Sequence, residues 1–379
     1  MPPEKHAKLS ASSAHRWMNC TPSANLEREF ADKSSEAAAE GTAAHALCEH
    51  KLRKALKLPS TRPVSKYDSD DMEMYTDSYR DFVLELLAQA KQNCSDLMVL
   101  IEQRLDFSCY VPEGFGTGDC VIVADKELHI IDFKYGLGVL VSAENNPQMM
   151  LYALGALRIF DALYDIDTVS MSIFQPRRDN VSTWTIPVTQ LHEWAETTLR
   201  EKAALAFDGD GDFIPGPWCT FCKAAVKCRA RAEEKLALAK YEFTKPPLLT
   251  DAEIEDILSR LEDLTKWAGE IAAYAQDAAI NHGKHWAGFK LVESRTTRRY
   301  TNENAVIAAV YEAGYDPYEK KVHGITAMQK ILGKQQFDSL LGHLIEKPKG
   351  KPTLVPITDK RPAITVTGAK QDFTEFMEE

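Results

Sequence analysis

The chain has 379 residues, 44% of them hydrophobic, and a formal net charge of −11, a composition typical of a globular protein with a substantial core. No apolar run approaches the roughly 20 residues of a membrane span, and the polar start lacks a signal peptide's apolar stretch, so we expect a cytoplasmic protein without a membrane partner. The acidic charge argues against broad non-specific nucleic-acid binding and leaves room for a local basic groove.

The N-terminal part predicts a short helix followed by a longer one. The short helix contains RWMNCTPS, with Cys20, and ends near a proline. Residues 34–56 are rich in Ala, Glu and Leu and predict the longer helix. His45 and Glu49 are four positions apart in it and share a face, and Gly41 would allow close approach of a backbone or of DNA. A lone histidine on such a helix is more often a packed or surface residue than a ligand.

A second helix is predicted over residues 68–94, and a strand over 97–106. Glu102 stands in the middle of that strand. A glutamate there is usually a solvated edge residue, and the alternative is that it reaches a nearby metal site.

Residues 118–138 predict a β-hairpin that carries acids where strands disfavour them. With a two-residue loop at 125–126, Ala124 pairs with Glu127, and the register places Asp119 opposite Asp132. Side chains alternate along a strand, so Asp132 and Lys134 project together. A bound cation would hold both acids ionised beside the lysine. The plain alternative is a solvated hairpin with a surface ion pair.

After the hairpin, Asn146 and Pro147 predict the start of a helix that extends to residue 160. Gln148 and Tyr152 lie four positions apart on it, and the alternative for this segment is a plain amphipathic helix. Strands at 169–174 and 181–186 and a helix at 191–207 complete a mixed sheet flanked by helices. The predicted fold class is therefore α/β.

The cysteines fall into two groups. Cys219, Cys222 and Cys228 follow the spacing C-x₂-C-x₅-C, which is a strong signal for a soft metal that needs one more ligand from elsewhere. A closed site with four cysteines serves either zinc or an iron–sulfur cluster. The other thiols lack such spacing and are interpreted as core residues: Cys48, Cys94, Cys109 and Cys120.

The order G-T-x-x-H-x-x-x-E, then G-D, then D-x-K, then Q-x-x-x-Y resembles the RecB-like branch of the PD-(D/E)XK nucleases over residues 10–231. A threonine and a glycine stand where that family often has a proline before its first acid. Some RecB-like nucleases close the domain with a [4Fe–4S] cluster, held by one cysteine before the histidine motif and three after Q-x-x-x-Y. Here Cys20, Cys219, Cys222 and Cys228 occupy those places. The whole chain also resembles a family of RecB-like proteins from bacteriophages and prophages.

The resemblance implies a restriction-endonuclease-like core and a metal-dependent DNA exonuclease that acts in phage replication or recombination inside a bacterial host cell, with DNA and phage replication or recombination proteins as partners. Mg²⁺ or Mn²⁺ would be the catalytic ion. The expected ligands are His45, Asp119, Asp132 and the Phe133 carbonyl, with Glu49 and Glu102 as further candidates. Lys134 would position water or stabilise charge, and Gln148 and Tyr152 would seat the strand.

Two other functions fit the same sequence. One is a catalytically silent DNA-binding or replisome-assembly protein that retains the fold, and the other is an interaction module stabilised by zinc at the four cysteines.

The C-terminal region is predicted to be separate. We expect a nuclease domain over 1–240, an α+β accessory domain over 246–368 and a loose acidic tail over 369–379. A capping box at Thr250 opens a long helix, and two short helices meet at Gly333. Two basic stretches are candidates for phosphate contact or for plain solvated surface: Lys290, Arg295, Arg298 and Arg299, and then Lys347, Lys349, Lys351, Lys360 and Arg361.

Overall fold

The computed structural model describes residues 7–31, 35–237, 249–292, 301–318, 322–346 and 362. The chain divides into two compact units, Met1–Tyr274 and Ala275–Glu379. The predicted boundary at 240–246, the acidic tail and most of the basic stretches lie outside the described residues. Within the described residues, no helix combines the length and the apolar character needed to cross a bilayer.

The first unit is built on a five-stranded mixed sheet whose strands lie in chain order. The third and fourth strands are parallel, and the other neighbours are antiparallel. The strands are β1 (Met98–Asp106), β2 (Phe115–Ala124), β3 (Lys126–Phe133), β4 (Ile166–Gln175) and β5 (Asn180–Pro187).

The described helices of the first unit begin with α1 (Ala14–Asn19), α2 (Ser23–Leu26), α3 (Glu36–Ala55) and α4 (Asp70–Asn93). They continue with α5 (Pro147–Phe160), α6 (Val188–Trp194), α7 (Arg200–Asp208), α8 (Arg229–Leu236) and α9 (Asp251–Asn281), the last of which extends into the second unit. A π-helical turn, Ala195–Leu199, joins α6 to α7 within the segment predicted as one helix.

The predicted hairpin register is confirmed. Ala124 pairs with Glu127, and the ladder continues to Cys120 opposite Ile131, so the next step places Asp119 opposite Asp132. The predicted N-cap is also confirmed, because the Asn146 side chain accepts hydrogen bonds from the first amides of α5. Local signals therefore determined both the hairpin and the start of α5.

Each face of the sheet carries its own hydrophobic core. On one face, Leu128 and Ile130 of β3 pack with α5. Gly155 of α5 permits close packing on β1 of the same face, since a Cβ there would lie 2.9 Å from the Leu105 side chain. On the other face, Ile131 and Phe133 pack with α3 and α4. Because side chains alternate along β3, its residues pack against helices on both faces of the sheet. The polar end of β3 therefore lies between the two helical layers.

The prediction that Cys109 is a core thiol was wrong. Cys109 is exposed in the turn between β1 and β2, whereas Cys48, Cys94 and Cys120 are buried as expected. The turn surrounding Cys109 lies at the surface because it only has to reverse the chain between two antiparallel strands.

The described part of the second unit is helical, with α10 (Glu303–Glu312), α11 (Ile325–Leu332) and α12 (Lys334–Leu341). The predicted capping box at the start of α9 is present, with Thr250 and Glu253 exchanging hydrogen bonds. The predicted break between the short helices is present at Gly333, where φ is 74°. Within the region predicted as α+β, residues 289–292 form no strand, and residues 293–300 lie outside the described residues.

Candidate metal centre and its lysine

Two acids are brought together where β2 and β3 run side by side. Asp119 Oδ2 accepts a hydrogen bond of 2.7 Å from the backbone amide of Phe133, the residue after Asp132. That bond continues the contact between the two strands past the last backbone pair, Cys120 with Ile131. The hairpin register therefore fixes Asp119 beside Asp132, as the sequence indicated.

A third acid, Glu102, comes from β1. Its neighbours Ile101 and Gln103 pair with Cys120 and Gly118, so Glu102 falls across from Asp119. Glu102 has φ of 53°, a left-handed conformation that non-glycine residues rarely adopt within a strand. Such strain in a strand is typical of a functional position.

Helix α3 supplies the histidine. His45 Nδ1 lies 3.2 Å from Asp119 Oδ1. His45, Glu102 and Asp119 each offer one ligand atom, and the three atoms lie within 4.8 Å of one another. All three side chains are partly buried, which leaves them within reach of an ion from solvent. The three side chains together therefore have the composition of a metal centre.

Electrostatics couple the acids. Burial would lower the pKa of His45, but the adjacent Asp119 carboxylate outweighs it and raises that pKa to about 9. Burial and then the charge of Asp119 raise the pKa of Glu102 to about 7. Burial also raises the pKa of Asp132, an effect that Asp119 reinforces and Lys134 opposes. For Asp119, His45 overcomes the effect of burial and lowers the pKa. The His45–Asp119 pair is therefore favoured in its charged form, whereas ionisation of Glu102 and Asp132 is disfavoured unless a further cation lies nearby.

The predicted lysine, glutamine and tyrosine form one network with Asp132. Lys134 Nζ lies 3.0 Å from Asp132 Oδ2 and donates to Gln148 Oε1 at 3.1 Å. Gln148 Nε2 in turn donates to Asp132 Oδ1 at 3.1 Å and to the Tyr152 hydroxyl at 3.2 Å. Because α5 packs on the sheet, its residues four positions apart reach the same strand end. Gln148 therefore links the other three residues that the sequence singled out into one hydrogen-bonded network.

Lys134 also faces an open cleft of about 440 Å³. His45, Glu102 and Asp119 line this cleft, together with Gly41 of α3. A Cβ at Gly41 would meet no atom within 4 Å. The metal trio and the lysine therefore share one entrance from solvent.

Two further predicted ligands, Glu49 and Asp132, lie outside the trio of His45, Glu102 and Asp119. Glu49 lines a small chamber behind His45 and pairs with Arg53 at 2.7 Å, outside the trio. Asp132 is also outside the trio and is engaged by Lys134 and Gln148. For Phe133, the backbone amide contacts Asp119, and the ring packs edge-on against His45 with the centroids 5.4 Å apart.

Sequence reasoning missed Tyr135 and Arg177 at the edge of the cleft. Tyr135 lines the cleft, and the Arg177 guanidinium lies over its ring at 4.7 Å. Arg177 also pairs with Glu40 of α3 at 3.2 Å. The adjacency of Tyr135 to D-F-K was a usable signal, whereas Arg177 is brought in by the turn between β4 and β5.

The four predicted cluster cysteines line one small cavity of about 20 Å³. They are Cys20, Cys219, Cys222 and Cys228. None of the four forms a disulfide. Burial raises the pKa of Cys222 to about 11 and also raises that of Cys20, so these thiols are protonated unless a metal binds. Residues nearly 200 positions apart thus contribute to one sulfur-rich site.

Polar contacts support the same junction. Arg16 pairs with Glu27 at 2.7 Å, and Glu27 Oε1 accepts from the Lys223 amide at 2.7 Å. The Thr21 hydroxyl donates to the Asp210 carbonyl at 2.5 Å. The N-terminal helices are thereby fixed to the segment that carries the three later cysteines.

Comparison with known proteins gives a structural neighbour and a family. The neighbour is a solved structure titled "Crystal structure of SSO0001", with 17% identity over 49% of this chain and 95% of that one, and a TM-score of 0.23. A TM-score at this level carries no argument about the fold. The family described as "Protein of unknown function (DUF2800)" matches residues 6–362. On that match over most of its length, the chain belongs to the DUF2800 family.

Proposed function

We propose that this protein is a metal-dependent deoxyribonuclease with a RecB-like PD-(D/E)XK core, acting as an exonuclease. The observation that carries the proposal is the shared cleft, which places the trio of His45, Glu102 and Asp119 beside the protonatable amine of Lys134. Phosphodiester hydrolysis needs a cation at the phosphate and a group that handles the attacking water or the developing charge. The groups suited to these two tasks line one cleft.

The donor set fits a hard divalent cation. Two carboxylates and one imidazole are suitable ligands for Mg²⁺ or Mn²⁺, and their mutual separation within 4.8 Å allows them to share one ion. Asp132 is close enough to Asp119 for their charges to interact and is the natural further carboxylate. When bound, the ion would polarise the scissile phosphate and lower the pKa of a water molecule.

The surroundings of Lys134 favour its protonated, cationic form. Burial alone would lower the pKa of its amine, but Asp132 and Asp119 reverse that effect and raise it. The protonated amine can therefore stabilise negative charge on phosphate or orient a water. Gln148 holds the amine and Asp132 at once, and Tyr152 holds Gln148, so these two residues position the lysine.

The four cysteines are proposed to hold a [4Fe–4S] cluster that closes the domain and takes no part in hydrolysis. Among the described residues, the sulfurs do not form a trio as tight as that of His45, Glu102 and Asp119. Thiolates around a tetrahedral zinc would lie about 3.8 Å apart. An iron–sulfur core takes the same four thiolates, and the resemblance to the iron–sulfur type of RecB-like nuclease favours it. Zinc is the alternative occupant.

The test is cleavage of end-labelled linear and covalently closed circular DNA, single- and double-stranded, with Mg²⁺ or Mn²⁺, using protein purified without oxygen. Wild type is compared with Asp132→Ala, Lys134→Ala and the matched control Lys126→Ala, whose lysine pairs with Asp165 at the far end of β3. We expect metal-dependent loss of linear DNA only, abolished in the first two variants and retained in the control.

Wild-type protein that keeps its cluster, binds DNA and cuts nothing would overturn the enzyme proposal in favour of a silent DNA-binding or replisome-assembly protein. Cleavage of circular DNA would instead replace exonuclease by endonuclease. DNA, and phage replication or recombination proteins, are the partners that this proposal predicts.

A further inference from the structure

The segment that follows Lys134 exposes a group of apolar side chains beside the cleft. Leu137, Val139 and Leu140 are 49%, 51% and 50% exposed. We call residues 136–141 the apolar loop. Three large apolar side chains within four residues are unusual at a surface that has no role in binding.

The apolar loop is nevertheless held firmly by polar contacts to its backbone. Gln175, itself 2% exposed, donates to the carbonyls of Gly136 and Val139, at 2.9 Å each, and accepts from the Val141 amide at 3.3 Å. Asn180 donates to the Val141 carbonyl at 2.9 Å. A buried glutamine thus fixes the loop backbone in a conformation that keeps the apolar side chains exposed to solvent.

The loop adjoins the candidate active site. Tyr135 and Gly136 line the cleft together with the metal trio. Leu137 is three residues from Lys134, so their Cα atoms lie within about 11 Å of each other. One or two nucleotides of an extended strand span that distance.

Positive charge flanks the same loop. Arg178 donates to the Leu137 carbonyl at 3.2 Å and is exposed. Arg177 lies over the Tyr135 ring and is held by Glu40. The surface beside the cleft therefore combines guanidinium groups with apolar side chains.

We infer that the apolar loop contacts unpaired nucleobases, so that the substrate enters as a single strand or a frayed end. The inference rests on the proposed nuclease function and names its substrate class. A single strand exposes base faces beside an anionic backbone, so the apolar side chains can cover the base faces while the guanidinium groups contact the phosphates. In a duplex the base faces are stacked on one another, and the loop would gain little from it. Leu137, Val139 and Leu140 would thus determine specificity without touching the reacting phosphate.

The test compares wild type with the triple variant Leu137→Ser/Val139→Ser/Leu140→Ser. The matched control is Val64→Ser/Leu163→Ser, which removes side chains that are 90% and 72% exposed elsewhere. The substrates are a labelled single-stranded oligonucleotide, the same strand with a run of abasic sites at its end, the corresponding blunt duplex, and bis(p-nitrophenyl) phosphate. Anisotropy of the two fluorescent single strands, without metal, gives a second readout.

We expect the triple variant to hydrolyse bis(p-nitrophenyl) phosphate like wild type and to cut and bind the intact single strand about tenfold less well, because it lacks the apolar surface that the bases would cover. On the abasic strand the two proteins should be equal. The control should match wild type throughout.

Equal cutting and binding of the intact strand by wild type and triple variant would overturn the inference; that result is also expected if a protein or a second copy occupies the loop. An equal loss on the intact and abasic strands would overturn it too, since bases would not be the contact. If wild type cuts no substrate, the proposed function fails, and the anisotropy comparison still decides whether the loop recognises bases.

Discussion

Glu102 lies across from Asp119 in the β1–β2 ladder with its backbone in the left-handed region. Two carboxylates from adjacent strands are thereby brought within ligand distance of one ion. The sequence placed Glu102 in a strand but gave no sign of its backbone conformation, which depends on the surrounding sheet.

Glu102→Gln is expected to stabilise the metal-free protein by about 1 kcal/mol, because it removes a buried charge next to Asp119. The same variant should lose most of the stabilisation that Mn²⁺ gives. Thermal unfolding with and without Mn²⁺ measures both effects. Glu49→Gln, whose carboxylate pairs with Arg53, is the control and should keep the Mn²⁺ response. An unchanged Mn²⁺ response in Glu102→Gln would exclude Glu102 as a ligand.

Gly116→Ala is expected to disturb the lysine network from a distance. A Cβ at position 116 would lie 2.7 Å from the Tyr152 ring, which cannot yield without moving away from Gln148. We expect a cost of about 1–3 kcal/mol in unfolding free energy and a lower kcat, with KM little changed. Tyr152→Phe removes the hydroxyl and keeps the ring, so it should lower kcat without the stability loss. Wild-type kcat in Gly116→Ala would contradict this account.

Substitutions at Gly41 are expected to affect the stability of the fold and the access of DNA to the cleft differently. It interrupts the interior of α3 although a side chain there would meet no neighbour. Gly41→Ala should therefore raise the unfolding free energy by about 0.5–1 kcal/mol. Gly41→Leu should fold equally well yet reduce DNA cleavage, because position 41 lines the cleft. Denaturant unfolding and cleavage assays test the pair, and undiminished cleavage by the Leu variant would show that DNA does not pass this residue.

Cys228→Ser is expected to lose the iron and sulfide of the proposed cluster and several kcal/mol of stability, since a structural metal contributes directly to folding. Metal and sulfide analysis of anaerobically purified protein measures the first effect. Cys109→Ser, at an exposed thiol, is the matched control and should retain both. Zinc without sulfide in wild type would identify the alternative site.

His129 gives the fold a dependence on pH that is separate from the metal centre. Burial lowers the pKa of His129 to about 4, with Glu127 opposing, and its Nε2 contacts the Ser172 hydroxyl at 2.8 Å. The unfolded chain binds this proton near pH 6.5 and the folded chain near pH 4. Stability is thus fully present above pH 6.5 and falls as the pH approaches 4, by roughly 3 kcal/mol.

The measurement is denaturant unfolding of wild type and His129→Asn from pH 7.5 to 4. Wild type should lose more stability than the variant across this range. Parallel curves for the two proteins would contradict the assignment to His129.

Prediction from the sequence was strongest where a local pattern decides the structure. The turn at 125–126 set the hairpin register, and Asn146 set the start of α5. The sequence could not supply features made by distant segments. Gln175 was interpreted as loop, yet it ends β4 and fixes residues 136–141, because its partners come from another connection. Arg177 reaches Tyr135 for the same reason.

The junction between the N-terminal helices and the cysteine segment also determines the order of assembly. Glu27 and Lys223 are 196 positions apart, and Arg16 reaches the carbonyl of Phe221 across 205. A chain growing on the ribosome can pair β1, β2 and β3 early, but Cys20 meets all three of the later cysteines only after residue 228 has emerged. In the proposed cluster site, ligation of the metal by all four cysteines would therefore be a late step of biosynthesis, after most of this unit has been synthesised.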